Sequence, residues 1–131
     1  MGILNDICAT NEFNKAHQIQ TKVANVGFDW PCVNDVIGKF YEEINELKQA
    51  IINQDHNNTE EEIGDLFYTL INLARHLNVD PEKSLRLSSE KFIRRFNCLE
   101  QLAQLEKLEL KSSSLDQLET LWQRAKRKES P

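Results

Sequence analysis

The chain has 131 residues, of which 16 are Lys or Arg and 21 are Asp or Glu, so its formal net charge is −5. An acidic chain of this kind lacks the basic face that non-specific binding to nucleic-acid backbones requires. Apolar residues make up 40%, which is enough for a core, whereas 4 Gly and 3 Pro are too few for a turn-rich β fold. No apolar stretch approaches the roughly 18 residues of a membrane span, so we expect no membrane partner.

The three cysteines, Cys8, Cys32 and Cys98, are far apart and have no CxxC spacing. An odd number in this pattern favours reduced, partly buried thiols with a structural role over a disulfide framework. The first residues also lack the basic and apolar regions of a secretory signal peptide. These observations predict a cytoplasmic protein.

Apolar residues recur at helical spacing along most of the chain, and no segment alternates as a β-strand does. The predicted helices run from Leu4 to about Val26, from about Val33 to Asn53, from near Thr59 to Leu77, from Pro81 to about Leu110, and from Ser114 onward. The sequence therefore predicts an all-α fold, a four- to five-helix bundle forming one domain over residues 1–131.

Local signals mark the starts of the last three helices. Thr59 with Glu62 fits a capping box, and so does Ser114 with Gln117. Asp80-Pro81 supplies an N-cap acceptor followed by proline in the first turn. The third helix also has an apolar stripe that we expect to be buried, formed by Ile63, Leu66, Phe67, Leu70, Ala74 and Leu77.

Two pairs of acidic residues stand three positions apart on consecutive helices, Glu43 with Glu46 and Glu62 with Asp65. Residues three apart share a helix face, and a short loop makes the two helices antiparallel neighbours. The four carboxylates can therefore face one groove, where their repulsion favours a bound cation. Oxygen ligands without His or Cys favour Mg²⁺, Mn²⁺ or Ca²⁺ over zinc, and Mg²⁺ commonly shares its coordination shell with substrate phosphates.

A solvated helix face is the alternative interpretation of this acidic pattern, because ExxE spacings are common on helix surfaces. We assign Glu60 and Glu61 to that alternative, since acidic residues in a first turn favour the helix dipole. Glu62 could simply complete the capping box of Thr59. The occurrence of two acidic pairs on neighbouring helices favours the metal site.

A polar stripe continues along the third helix beyond the acidic pair, through Thr69, Asn72 and His76. A simple surface helix does not require such a stripe beside an apolar one. The amide of Asn72 could hold a ligand hydroxyl or phosphate, or it could make an ordinary buried hydrogen bond. His76 at the far end is expected to be structural.

Cationic and aromatic residues complete the candidate set. Lys91 and Arg95 lie one turn apart and could clamp phosphate oxygens, or they could form salt bridges with the acidic helices. Trp30 and Trp122 are candidates for stacking on a base, with burial in the core as the alternative.

These residues form motifs that resemble the MazG family of nucleoside triphosphate pyrophosphohydrolases, in particular the second, C-terminal domain of its long members. The resemblance rests on Lys39-x-x-Glu42-Glu43-x-x-Glu46, Glu61-Glu62-x-Gly64-Asp65-Leu66, Asn72-Leu73-Ala74-Arg75-His76-Leu77 and Lys91-Phe92-x-x-Arg95-Phe96. Val26-Gly27-Phe28-Asp29-Trp30 and Leu121-Trp122-Gln123 are also similar to the family.

The resemblance implies an all-α enzyme, completed as a homodimer or higher homo-oligomer, that hydrolyses nucleoside triphosphates to the monophosphate and pyrophosphate. It implies Mg²⁺ as cofactor, with Mn²⁺ as a possible substitute. The metal ligands that it implies are Glu43, Glu46, Glu62 and Asp65. Asn72, Lys91 and Arg95 would contact the nucleotide or its phosphates, Trp122 would lie near the base, and Glu42 would orient or deprotonate the attacking water.

Two other functions remain open at the level of sequence. One is a related all-α pyrophosphohydrolase of narrow specificity, acting on dUTP or phosphoribosyl-ATP. The other is a non-catalytic helical interaction module whose acidic groove is vestigial or only binds a cation. The four-carboxylate set speaks against the second alternative.

Overall fold

The computed structural model describes residues 2–129 of the chain. Over these residues it contains five α-helices, a short 3-10 helix and no β-strand, which confirms the predicted all-α class. The α-helices are α1 (Glu12–Asn25), α2 (Val33–Ile52), α3 (His56–His76), α4 (Pro81–Leu105) and α5 (Leu115–Glu129), and the 3-10 helix is Leu110–Ser112. In the part of the chain so described, no helix is both long enough and apolar enough to span a membrane.

The helices are divided between two compact units, the first extending to Lys83 and the second beginning at Ser84. In the first unit, α3 packs against both α1 and α2. The buried apolar residues of this unit are Ala16, Val36, Ala50 and Ile71. In the second unit, α4 and α5 share a core made of Leu99, Leu102, Ala103, Leu121 and Ala125.

The first helix begins later than predicted, at Glu12 instead of Leu4. Asn11 has extended backbone geometry, and its side-chain oxygen accepts a hydrogen bond from the backbone N–H of Asn14 at 2.7 Å. This is an N-cap, which sets the start of a helix. The predicted stop is confirmed, because Gly27 follows the helix with a φ of +93°, a conformation that suits glycine.

The third helix begins three residues before the predicted start, at His56. Asp55 caps it by accepting a hydrogen bond from the N–H of Asn58 at 3.1 Å. Thr59 lies inside the helix, and its hydroxyl donates to the carbonyl oxygen of Asp55 at 2.8 Å. The capping box predicted for Thr59 and Glu62 was therefore wrong, and Glu62 takes no part in a cap.

The fourth helix ends at Leu105, five residues before the predicted end, and Lys107 then adopts a left-handed φ of +57°. The other two predicted starts are confirmed. Asp80 accepts from the N–H of Glu82 at 3.0 Å. The capping box before α5 is complete, with the Ser114 N–H donating to Gln117 at 2.8 Å and the Gln117 N–H donating to Ser114 at 3.1 Å.

The apolar stripe of α3 was expected to be buried, and most of it is exposed. Ile63, Phe67, Leu70 and Leu77 are all more than two fifths exposed. The buried residues of α3 are Glu62 and Ile71 instead, because α1 and α2 cover other parts of its surface. The three cysteines are free, but Cys8 and Cys32 are exposed, contrary to the expectation of partial burial.

The cap of α3 gives a direct test of its start. Asp55→Ala is expected to lower the free energy of unfolding by about 1 kcal/mol, the usual cost of losing an N-cap side chain. Thr59→Ala is the matched control and should cost clearly less, because its hydroxyl donates to a carbonyl within the first turn. Urea denaturation followed by circular dichroism measures both values. A larger loss for Thr59→Ala would indicate that the helix starts at Thr59.

Candidate active site

Three carboxylates from α2 and α3 converge in the first unit. Glu43, Glu62 and Asp65 each offer one oxygen, and these oxygens all lie within 4.8 Å of one another. The packing of α2 against α3 brings them together, since Glu43 lies on α2 and the other two lie on α3. The structure thus groups three of the four residues that the sequence predicted as metal ligands.

The burial of this group makes it suitable for a cation. Glu43 and Glu62 are only 4% and 9% exposed, and the Oε2 atom of each is buried without a hydrogen-bond partner. A buried carboxylate oxygen that lacks a partner is energetically costly. Together with the more exposed Asp65, these atoms form an oxygen-only donor set, which fits a hard divalent ion such as Mg²⁺.

Lys39 provides a positive charge beside the carboxylates. Its Nζ lies 2.9 Å from Oε1 of Glu43 and 3.7 Å from Oε2 of Glu42. The hydrogen bond with Glu43 raises the pKa of Lys39. The sequence motif contained Lys39, but sequence reasoning assigned no role to it. Its position four residues before Glu43, one helical turn away, was the available signal.

The two buried carboxylates influence each other's protonation. The pKa of Glu62 is raised to about 7 by its hydrogen bond with Glu43, by burial and by the nearby charge of Glu46. Burial also acts to raise the pKa of Glu43, but the hydrogen bonds from Lys39 and Glu62 outweigh it, so this pKa is lowered. In the absence of a cation, Glu43 is therefore ionised while Glu62 keeps its proton up to near neutral pH.

Glu46 and Glu42 lie at the margin of the group. Glu46 is exposed and close enough to act on the pKa of both Glu43 and Glu62, but it is not among the three residues whose oxygens converge. The side chain of Glu42 is 69% exposed and is near Lys39. The predicted roles of Glu46 as a ligand and Glu42 as a base remain predictions.

A cavity of about 500 Å³ lies next to the acidic group in the first unit. Lys39, which contacts Glu43, lines the cavity together with Thr69 and Asn72 of α3. Phe28 and Trp30 line it as well. Another cavity, of about 530 Å³, is not lined by Lys39, and none of the three carboxylates lines either cavity directly. The cavity lined by Lys39 is therefore the better candidate for a substrate pocket.

Asp29 anchors the aromatic loop to the end of α3. Its Oδ1 accepts a hydrogen bond from Arg75 and lies 3.0 Å from Nε2 of His76, and it also accepts from the N–H of Trp30 at 2.8 Å. Burial acts to raise the pKa of Asp29, but these hydrogen bonds outweigh it and hold the pKa below its usual value. Arg75 also donates to Oδ1 of Asn72 at 2.7 Å.

Sequence reasoning identified His76 as structural but missed Asp29 and Arg75. Both residues stand in motifs that carry the family resemblance, but no role was assigned to them. The local signals were an acidic residue next to Trp30-Pro31 and two potentially cationic residues in the last turn of α3. The hydrogen bond between Arg75 and Asp29 joins residues that are 46 positions apart. Such a pairing depends on how the loop folds back onto α3, which a local pattern does not specify.

The other predicted substrate contacts lie in the second unit. Lys91 is exposed, and Nε of Arg95 lies 2.6 Å from Oε2 of Glu129. Arg95 thus forms an ion pair, although with α5 and not with α2 or α3. Trp122 packs beside the core of this unit, with its ring centre 5.0 Å from that of Phe92. The roles in substrate binding that the sequence predicted for Lys91, Arg95 and Trp122 remain predictions.

Comparison with known proteins shows which family this part of the chain resembles. Residues 35–99 match the family described as MazG nucleotide pyrophosphohydrolase domain. The chain carries a MazG domain. The matched segment includes the whole acidic group of Glu43, Glu62 and Asp65, whereas Asp29 and Trp122 lie outside it.

Relatives of this MazG domain are longer proteins. A nucleoside triphosphate pyrophosphohydrolase of Escherichia coli strain K12 is 42% identical over 119 residues, covering 88% of this chain and 44% of that protein. A nucleoside triphosphate pyrophosphohydrolase/pyrophosphatase MazG of Thermotoga maritima is 41% identical over 111 residues, covering 85% of this chain and 42% of that protein. The chain therefore spans less than half the length of these curated relatives.

The raised pKa of Glu62 gives a prediction for the metal-free protein. A carboxyl whose pKa rises from 4.5 unfolded to about 7 folded binds its proton more tightly in the folded state. Its contribution to stability is present at low pH and is lost as the pH rises through 7. The melting temperature in EDTA should therefore fall between pH 5.5 and 8.5, and Mg²⁺ should raise it more at pH 8 than at pH 6.

In Glu62→Gln, the melting temperature in EDTA and its increase by Mg²⁺ should both depend less on pH, because the glutamine side chain does not titrate. The control is Glu61→Gln, an exposed neighbour in the same helix, which should behave as the wild type does. Differential scanning calorimetry at matched ionic strength measures these changes. Equal pH slopes in the wild type and Glu62→Gln would show that Glu62 is not the titrating group.

Proposed function

We propose that the chain hydrolyses nucleoside triphosphates to the nucleoside monophosphate and pyrophosphate, with Mg²⁺ as cofactor. The observation that carries the proposal is the convergence of the buried Glu43 and Glu62 with the exposed Asp65, next to a cavity of about 500 Å³ lined by Lys39. The names of the two relatives that cover most of the chain agree with this activity.

The proposed reaction is an attack of water on the α-phosphorus. The new bond joins the water oxygen to this phosphorus, the bond to the bridging oxygen breaks, and pyrophosphate leaves. When bound, Mg²⁺ supplies charge neutralisation for the triphosphate and increases the acidity of water in the site. Glu43, Glu62 and Asp65 are the proposed ligands of the ion, with Glu46 as a fourth.

The remaining residues are proposed to bind the substrate and move protons. Glu42 is exposed beside Lys39, and we assign it the role of accepting the proton of the attacking water. Lys39 would keep Glu43 ionised and face the triphosphate. Lys91 and Arg95 are proposed to stabilise the negative charge of the leaving pyrophosphate, for which Arg95 would have to exchange its ion pair with Glu129.

Removal of single carboxylates tests the proposed metal site. Glu43→Gln and Asp65→Asn should each reduce Mg²⁺-dependent pyrophosphate release by at least about a hundredfold, because each removes a negatively charged ligand. Release is measured with a coupled phosphate assay over all ribo- and deoxyribonucleoside triphosphates. The same panel separates a broad enzyme from one restricted to dUTP, and phosphoribosyl-ATP is assayed beside it.

Glu61→Gln provides the matched control, since Glu61 is an exposed carboxylate next to Glu62. It should retain wild-type turnover. Circular dichroism and melting curves verify that all variants are folded. Full turnover in Glu43→Gln or Asp65→Asn would contradict the metal site, and a wild type without turnover or Mg²⁺-dependent nucleotide binding would favour the non-catalytic alternative.

We also propose that the chain forms a homodimer through α3. Ile63, Phe67, Leu70 and Leu77 follow one another at helical spacing and are 43%, 53%, 50% and 53% exposed. A contiguous exposed apolar stripe of this kind is unusual in a monomer and is typical of an interface. Pairing of two copies would remove it from water, and this would also explain why a stripe predicted to be buried is exposed in one chain.

Charge introduced into the stripe tests the dimer. Leu70→Glu should shift the protein to monomers, because a carboxylate in an apolar interface must be desolvated without a partner. Size-exclusion chromatography with light scattering gives the mass directly. Leu105→Glu is the control, since Leu105 is 77% exposed on α4 outside the stripe, and it should leave the mass unchanged. A monomeric wild type at micromolar concentration would contradict the proposal.

A further inference from the structure

A buried glutamine in the substrate cavity has one half of its amide unpaired. Gln20 of α1 is only 7% exposed and lines the cavity that contains Lys39. Its Nε2 donates a hydrogen bond to the backbone carbonyl oxygen of Tyr68 at 2.8 Å. Its Oε1 is buried and has no hydrogen-bond partner in the protein.

The bond to Tyr68 fixes the orientation of this amide. A backbone carbonyl can only accept a hydrogen bond, so the NH₂ group of Gln20 has to face it. The reverse orientation would place two acceptors in contact. Oε1 is thereby held as an acceptor, and an acceptor that is buried without a donor is unfavourable. Gln20 therefore requires a donor that the protein itself does not supply.

The rest of the cavity suits the nucleoside part of a nucleotide. Ile19, Val23, Phe28 and Trp30 provide apolar and aromatic surface, and the volume of about 500 Å³ lies in the range of small-molecule sites. Flat heterocycles stack favourably on aromatic side chains. The loop with both aromatic residues is anchored by Asp29, so this wall of the cavity is already formed.

Two other side-chain oxygens of the lining are already used as acceptors. Oδ1 of Asn72 accepts two hydrogen bonds from Arg75, and Oδ1 of Asp29 accepts from Arg75 as well. The amide NH₂ of Asn72 and the ammonium group of Lys39 are donors and suit the anionic part of a nucleotide. Gln20 supplies the complementary acceptor.

We infer that Gln20 determines substrate specificity by accepting, through Oε1, a hydrogen bond from the nucleoside part of the substrate. The donor is an N–H of the base or a hydroxyl of the ribose. This inference rests on the proposed function and names the part of the substrate that the cavity recognises. Burial of both partners makes the discrimination strong, because a nucleoside without the donor leaves Oε1 unpaired.

Binding of nucleoside 5′-monophosphates tests the role of Gln20 without metal or turnover. Titration calorimetry with the four common ribonucleotides should show a preferred nucleotide for the wild type. Gln20→Met keeps the size of the side chain and removes its polar atoms, so it should weaken binding of that nucleotide about tenfold. Gln18→Met is the matched control, because Gln18 also lies on α1 and donates to a carbonyl oxygen but does not line the cavity.

Changes in the ligand identify the donor while the wild-type protein stays intact. If the donor is a ribose hydroxyl, the 2′-deoxy or 3′-deoxy nucleotide should bind the wild type about tenfold more weakly. If it is a base N–H, the preference should follow the base and be unaffected by either deoxy sugar. In Gln20→Met the same ligand change should have no further effect, because its partner is gone.

Equal affinities of the wild type and Gln20→Met for every nucleotide would overturn the inference, and so would a wild type that binds none of them. A wild type that binds through Gln20 but releases no pyrophosphate would instead contradict the proposed function alone. Pyrophosphate release with an unchanged KM in Gln20→Met would contradict the inference and leave the proposed function standing.

Discussion

The contact between two buried carboxylates, Glu43 of α2 and Glu62 of α3, is the constraint on which the first unit depends. Two like charges cannot both be buried and ionised without compensation. The hydrogen bond from Lys39 to Glu43 and the raised pKa of Glu62, which favours its neutral form, provide that compensation. The stability of the packing between α2 and α3 is therefore linked to the protonation of Glu62. A cation that replaces this proton would change both.

The same constraint explains the arrangement of the cavity. Lys39 neutralises part of the acidic group and also lines the cavity, so it places a positive charge between the carboxylates and the cavity, where the proposed anionic substrate would bind. Arg75 is tied to Asp29 and Asn72 and therefore serves mainly to shape the wall. Local positive charge is thus present in an acidic chain, at the place where the proposed triphosphate substrate would need it.

The sequence allowed prediction of the features that depend on local spacing. The all-α class, the bounds of α2 and the convergence of Glu43 with Glu62 and Asp65 followed from helical periodicity and a short loop. The start of α3 was misplaced because Asp55 and Thr59 can both cap a helix, and only the backbone shows which does. Burial of the α3 stripe was wrong because periodicity identifies an apolar face but not whether that face is covered within one chain. Gln20, Asp29 and Arg75 were missed because their contacts join distant segments.

Two of these missed residues, Gln20 and Asp29, lie in a different part of the chain from the acidic group. The acidic group lies in the segment matched by the MazG family, whereas Gln20, Phe28, Asp29 and Trp30 precede it, on α1 and the following loop. A cation that neutralises a triphosphate would need a fixed set of carboxylate ligands, while recognition of a nucleoside needs only a cavity with suitable donors and acceptors. If the cavity binds the nucleoside as proposed, a change in α1 or its loop would alter which nucleoside fits without disturbing Glu43 and Glu62, so substrate preference and hydrolysis would be separable properties of this domain.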